Sequence, residues 1–166
     1  MKKIIFITVI CIISAINANQ LPVGIELGTG YTIQDGNDPL FFEGSALVNV
    51  YKNFYLRTEL ANITFVSDET YMSIGTGQGI VGLVMIPSYG VDLMMFSYAP
   101  TFAPYGLGGF NITSGGGHSY FSIKLGAGSE FEISKSFKPF AEVALNVYKN
   151  GDTQTAITLK GGIRIR

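Results

Sequence analysis

Three stretches near the end of the chain decide the fold: SYFSIKLGAGSEFEI (119–133), PFAEVALNVYK (139–149) and QTAITLKGGIRIR (154–166). In the first, Phe121, Ile123, Leu125, Ala127, Phe131 and Ile133 share one face. Tyr120, Ser122, Lys124, Gly126, Gly128, Glu130 and Glu132 share the other. In the second, Ala141, Val143, Leu145 and Val147 alternate with Phe140, Glu142, Ala144, Asn146 and Tyr148. In the third, Thr155, Ile157, Leu159, Gly161, Ile163 and Ile165 alternate with Ala156, Thr158, Lys160, Gly162, Arg164 and Arg166. A period of two is that of a β-strand. Each run is longer than the roughly five or six residues usual in soluble sheets, and matches the roughly 9–11 that a tilted strand needs to cross a bilayer.

Working outward, the same period recurs upstream. Val23, Ile25, Leu27, Thr29, Tyr31 and Ile33 alternate with Gly24, Glu26, Gly28, Gly30 and Thr32. Ala46, Val48 and Val50 alternate with Leu47, Asn49 and Tyr51, and Phe54, Leu56, Thr58 and Leu60 with Tyr55, Arg57, Glu59 and Ala61. Residues 72–86 are apolar on both faces, and in 89–98 Val91, Leu93 and Met95 oppose Asp92, Met94 and Phe96. That makes eight strands. Longer or polar connections fall at 34–43, 66–70, 99–118 and 149–153, and short ones at 52–53, 87–88 and 134–138. The prediction is an all-β, eight-stranded antiparallel up-and-down β-barrel, closed by pairing 22–33 with 154–166 so that no strand edge is left in lipid. Long loops belong outside the cell and tight turns in the periplasm.

One face collects nearly all the strand charges: Glu26, Arg57, Glu59, Asp92, Lys124, Glu130, Glu132, Glu142, Lys160 and Arg164. An Arg or Lys facing lipid at mid-bilayer costs about 2–4 kcal/mol, so this face is assigned to the lumen. An eight-stranded barrel is only just wide enough for its own side chains. The charges are therefore expected to pair into a plug rather than to line an open channel. The segment 99–118 contains Pro100, Pro104 and several glycines. It reads as the external loop best suited to contact a partner, with Phe102, Tyr105, Leu107 and Phe110 as its apolar surface.

The N-terminus sets the compartment. Met1-Lys2-Lys3 is a basic start, residues 4–13 are apolar apart from Thr8, and residues 14–18 turn small and polar. This is the layout of a secretory signal peptide, with cleavage after Ala18 or Ala15, and the apolar run is too short to span a bilayer as a helix. Residues 1–18 are accordingly assigned to the signal and 19–166 to one barrel domain. Lys2 and Lys3 leave with the signal, so 9 of the 11 basic residues remain against 12 acidic ones, a net charge of −3 that gives nucleic acid no foothold. Cys11, the only cysteine, lies within the apolar run, which leaves neither a disulfide framework nor a lipid-anchor site. Charged residues make up 14% of the chain, against about 25% in typical soluble domains.

Residues that carry chemistry are sparse. His118 is the sole histidine; Ser119 beside it would point to the opposite face of a strand, and Ser122 is too far along. No catalytic residue is assigned. Gly75-Thr76-Gly77-Gln78-Gly79 lacks the Lys-Ser/Thr of a phosphate loop. No cluster of metal-ligand spacing is present, and neither a metal nor another cofactor is assigned.

The signal layout, the glycine-rich first strand and the ending Thr158-Leu159-Lys160-Gly161-Gly162-Ile163-Arg164-Ile165-Arg166 resemble the small outer-membrane β-barrel proteins, the group related to the outer-membrane protein A barrel. The resemblance covers residues 19–166 and lies in pattern. It implies outer-membrane localisation, insertion by the barrel-assembly machinery, contact with outer-membrane lipid, and a structural or surface-interaction role with an unspecified surface ligand. Such barrels usually end in an aromatic residue preceded by alternate apolar positions. Ile163 and Ile165 occupy two of those positions, and Arg166 follows them. One other class stays open: a secreted, soluble, lipocalin-like barrel that binds an apolar ligand inside.

Overall fold

A computed structural model describes residues 23–33, 39–66, 69–74, 78–81, 88–97, 101–115, 118–150 and 152–166. The signal assignment over 1–18 lies outside these residues. Ten strands follow one another: β1 (Val23–Ile33), β2 (Leu40–Tyr51), β3 (Phe54–Val66), β4 (Glu69–Ile74), β5 (Gln78–Val81), β6 (Ser88–Phe96), β7 (Phe102–Gly115), β8 (His118–Phe131), β9 (Phe137–Asn150) and β10 (Asp152–Ile165). Eight of them (β1, β2, β3, β6, β7, β8, β9 and β10) close into an antiparallel barrel in which each pairs with the next in that order. Closure is by β1 against β10, in register from Ile25 opposite Ile165 to Ile33 opposite Ile157. The expected fold and its closing pair are both present.

The count of eight staves is right, but one of its members changes. The described part of 72–86, residues 72–74 and 78–81, does not form a stave of the barrel. β4 and β5 are a short hairpin attached to the upper part of β3, with Ala61–Val66 pairing Glu69–Ile74. The eighth stave is β7, in the segment read as an external loop. It pairs with β8 continuously from Phe102 opposite Phe131 to Gly115 opposite His118. Pro104 lies near the start of this stave, opposite Ser129, and its carbonyl accepts from the Ser97 amide at 2.8 Å. One glycine of β7 is a place where a neighbour needs the room, while Gly106 and Gly108 face open or ordinary surroundings. A Cβ at Gly109 would collide with the Asp92 carboxylate, and one at Gly128 opposite β7 would collide with the Tyr105 hydroxyl.

The exchange also reverses β6. It runs down to residues 97–101, which join β6 to β7 at the same end as the 52–53 and 132–136 turns. There the Phe96 amide donates to the Asn53 carbonyl and the Glu132 amide to the Thr101 carbonyl. This is called the turn end below. At the opposite end lie the last residues of β1, β3, β7 and β9 and the first of β2, β6, β8 and β10.

The strands sort side chains as the period of two requires. Outward residues such as Ile25, Leu93, Ile123, Leu125, Val143, Leu145 and Ile157 are 44–62% exposed. Inward residues such as Glu26, Leu47, Arg57, Met94, Lys160 and Arg164 are buried. Within β3 the alternation slips once. Ser45 faces Glu59 and Gly44 faces Ala61, so Leu60 is a bulge. Beyond it the phase changes by one residue, which brings Asn62 and Thr64 into the lining of the lumen.

Candidate functional site

The interior is organised around two arginines, held on β3 and β10 where inward alternation places them. Arg57 meets three carboxylates. Its Nη1 and Nη2 donate to the two oxygens of Glu142 at 2.7 and 2.9 Å, its Nε and Nη2 to Asp92 at 2.9 and 2.6 Å, and its Nη1 to Glu26 at 3.0 Å. Glu26, fully buried, in turn accepts from Lys160 Nζ at 2.6 Å and from Arg164 Nε at 2.6 Å. Arg164 Nη2 donates to the Tyr105 hydroxyl at 2.8 Å, and that hydroxyl donates to Glu142 at 3.0 Å. The Arg164 guanidinium lies 4.1 Å from the ring centre of Phe140 and 4.4 Å from that of Tyr105. Planar, multidentate donors suit such a cage, because each charge must keep partners once water is excluded.

Of the ten residues assigned to the lumen network, eight lie in this web. Lys124 Nζ reaches Asp92 at 3.2 Å, and Glu130 receives Arg164 at 3.4 Å. Glu59 has its partner elsewhere in the chain and lines the lumen above the web. Glu132 does not belong. β8 ends at Phe131, and Glu132 is exposed at the turn-end mouth, because the chain leaves the wall there before the alternation can turn it inward. Three members were missed. Glu43 pairs with Lys160 at 2.8 Å and had been placed in a connection. Lys138 lies 3.9 Å from Glu130 and had been placed in a turn. Arg166 pairs with Glu130 and stacks on Tyr55, and its place on the charged face of the last strand was already legible.

The four residues assigned to loop contact are corrected outright. Phe102, Tyr105, Leu107 and Phe110 are all in β7. Phe102 and Phe110 face outward, 45% and 48% exposed, while Tyr105 and Leu107 are buried in the lumen. Tyr105 and Leu107 join Leu47, Met94 and Phe96 in an apolar cluster beside the arginines. Pairing with β6 and β8 satisfies the β7 backbone, so the glycines do not break it.

Two small chambers flank the web. One, of about 190 Å3, opens at the turn end and is lined in part by Tyr55, Glu130, Lys138 and Arg166. The other, of about 220 Å3, lies toward the opposite end. Between them sit Glu26, Arg57, Tyr105 and Arg164, all buried. The described residues contain no group of three or more His, Cys, Asp or Glu arranged to hold a metal ion.

No protein-family model and no curated protein matches the chain. Solved structures do. The crystal structure of Neisserial surface protein A superposes with a TM-score of 0.61 over 86% of this chain and 94% of that one, at 9% identity. A de novo designed transmembrane β-barrel superposes with a TM-score of 0.50 over 86% and 92%, at 14% identity. At such identities the likeness is one of fold, and the fold is that of the small eight-stranded transmembrane barrels.

Proposed function

We propose that this chain is an integral outer-membrane β-barrel with a structural or surface-interaction role, its lumen plugged by paired charges. The observation that carries this reading is the exterior. On β8, Phe121 and Phe131 are both exposed, with only Ile123, Leu125, Ala127 and Ser129 facing outward between them. Ten residues at about 3.3 Å each, tilted about 40°, span roughly 25 Å along the barrel axis, the height of the apolar band of such barrels between its aromatic girdles. Phe102 and Tyr51 extend the turn-end girdle, and Phe110, Phe42 and Phe65 the other; all five are exposed. Among the described outward residues of the eight staves, Lys149 alone is charged, and it sits opposite Phe121 at the girdle.

The soluble, lipocalin-like alternative needs the reverse arrangement, an apolar inside and a charged outside. Arg57 and Arg164 buried at the centre, with leucines and isoleucines outside, stand against it. The plug favours a non-conducting, non-enzymatic role. Insertion would use the barrel-assembly machinery, with outer-membrane lipid as the standing partner and the turn end in the periplasm. Fractionation of cell envelopes tests this. The protein should sediment with outer membranes and leave them only in detergent. Release by high salt, or recovery as a folded soluble protein without detergent, would overturn the proposal.

A further inference from the structure

The chamber away from the turn end shares Glu43, Lys124, Glu142 and Lys160 with the plug, but the rest of its wall is of a different kind. Its volume of about 220 Å3 is room for about seven waters at ~30 Å3 each. Lys160 is paired with Glu43, Lys124 with Asp92 and Glu142 with Arg57, and Glu59 is not without a partner. What remains is a set of neutral hydrogen-bonding groups, among them Asn62, Thr64, Ser122, Asn146, Tyr148 and Thr158 on β3, β8, β9 and β10; Thr64 donates to Asn62 at 2.7 Å and Asn146 to Thr158 at 2.8 Å, which leaves each amide further donor and acceptor capacity. Two aromatic rings, Phe41 and Tyr148, form part of the same wall. The Lys124 side chain is 28% exposed and, among the described residues, donates to Asp92, one bond for the three hydrogens of its ammonium.

A charged ligand entering here would have to break a pair to find a counter-ion. An apolar one would strip water from amides and hydroxyls and return nothing. A solute gains by displacing ordered water only if its own groups reproduce the water's hydrogen bonds. We infer that this chamber binds a small neutral polyol of hexose size, its hydroxyls replacing the waters along the Asn62, Ser122, Asn146 and Thr158 edges and its C–H face lying against Phe41 or Tyr148. One acceptor oxygen would take a spare hydrogen of Lys124. Lys160 and Glu142 belong both to the plug and to the chamber lining, so the site is a blind pocket and not a route through the barrel.

The test uses the full mature chain folded in lipid nanodiscs, with circular dichroism confirming the barrel before each titration. Side-chain amide NMR signals of Asn62 and Asn146 are followed against glucose, galactose and myo-inositol, with glucuronate and glucosamine as charged counterparts. At least one neutral polyol should shift both amides saturably, at least tenfold more tightly than either charged analogue. Ser122→Phe, which fills the chamber, and Asn146→Leu, which removes a donor and an acceptor, should each weaken that binding at least tenfold while the barrel stays folded. The inference is overturned if no neutral polyol gives saturable shifts, if the charged analogues bind equally well, or if both folded variants bind like the unmodified protein. Because the barrel signal is read separately, failure of binding is distinguishable from failure of the membrane-barrel reading.

Discussion

On β9, Glu142 and Val143 are consecutive, and their surroundings could hardly differ more. Glu142 is buried with Arg57 at 2.7 Å and the Tyr105 hydroxyl at 3.0 Å, while Val143 is 47% exposed on the outer wall. Inside, a charge is tolerated because several partners surround it. Outside, it is excluded because hydrocarbon offers none. The two surfaces of one wall thus obey opposite rules, and each can be broken by importing what the other requires.

The largest effect should come from Arg57→Ala. It leaves Glu26, Asp92 and Glu142 without their shared cation, and removing one partner from a buried ionic cluster typically costs about 3–5 kcal/mol. Urea unfolding in lipid vesicles should show that loss, or no folded barrel at all. Near-normal stability would mean that water reaches the web and that the plug is open. Next is Val143→Arg, at about 2–4 kcal/mol for a cation facing lipid near mid-bilayer. The same measurement applies, and an unchanged midpoint would reverse the assignment of the two faces.

Glu142→Gln sharpens the inner rule. The amide keeps an acceptor oxygen for Arg57 or Tyr105 but gives up the charge, while Asp92 and Glu26 still hold the guanidinium. A loss on the order of 1–3 kcal/mol is expected, smaller than for Arg57→Ala. Equal losses would mean that Glu142 alone carries the pairing. The smallest effect belongs to Phe131→Tyr at the turn-end girdle, where an amphipathic ring suits the interface. Its unfolding midpoint should stay within about 0.5 kcal/mol of the unmodified protein. A loss of several kcal/mol would place Phe131 deep in hydrocarbon and shift the girdle.

Legibility followed the alternation. In β8, β9 and β10 inward and outward residues differ in polarity at nearly every step, so strand, face and closing pair could all be read, and Glu26, Lys124, Glu142, Lys160 and Arg164 with them. β7 was lost because its inward and outward positions are both rich in glycine and its alternation has little polarity contrast. Gly106, Gly108 and Gly109 read as breakers until Asp92 is seen to occupy the space beside Gly109. With β7 read as a loop, the alternation of directions reverses β6 and leaves a place in the count that 72–86 fills. Glu43 disappeared with the connection assigned to 34–43, although it lies well inside β2.

What the sequence determined by itself is the period, and with it the class of fold: alternation in which one face carries the charge and the other carries leucine, isoleucine and valine has one economical solution in lipid for strands without helical periodicity, a closed barrel with its charges inside. What only the tertiary structure decided is which carboxylate meets which cation, that Leu60 bulges to turn Asn62 and Thr64 inward, and that a stretch of glycines and a proline is a wall. Those are matters of register between strands far apart in the chain, such as Glu26 and Arg164 directly opposite each other on β1 and β10. A period of two fixes which way a side chain points, but not the residue it meets on the neighbouring strand.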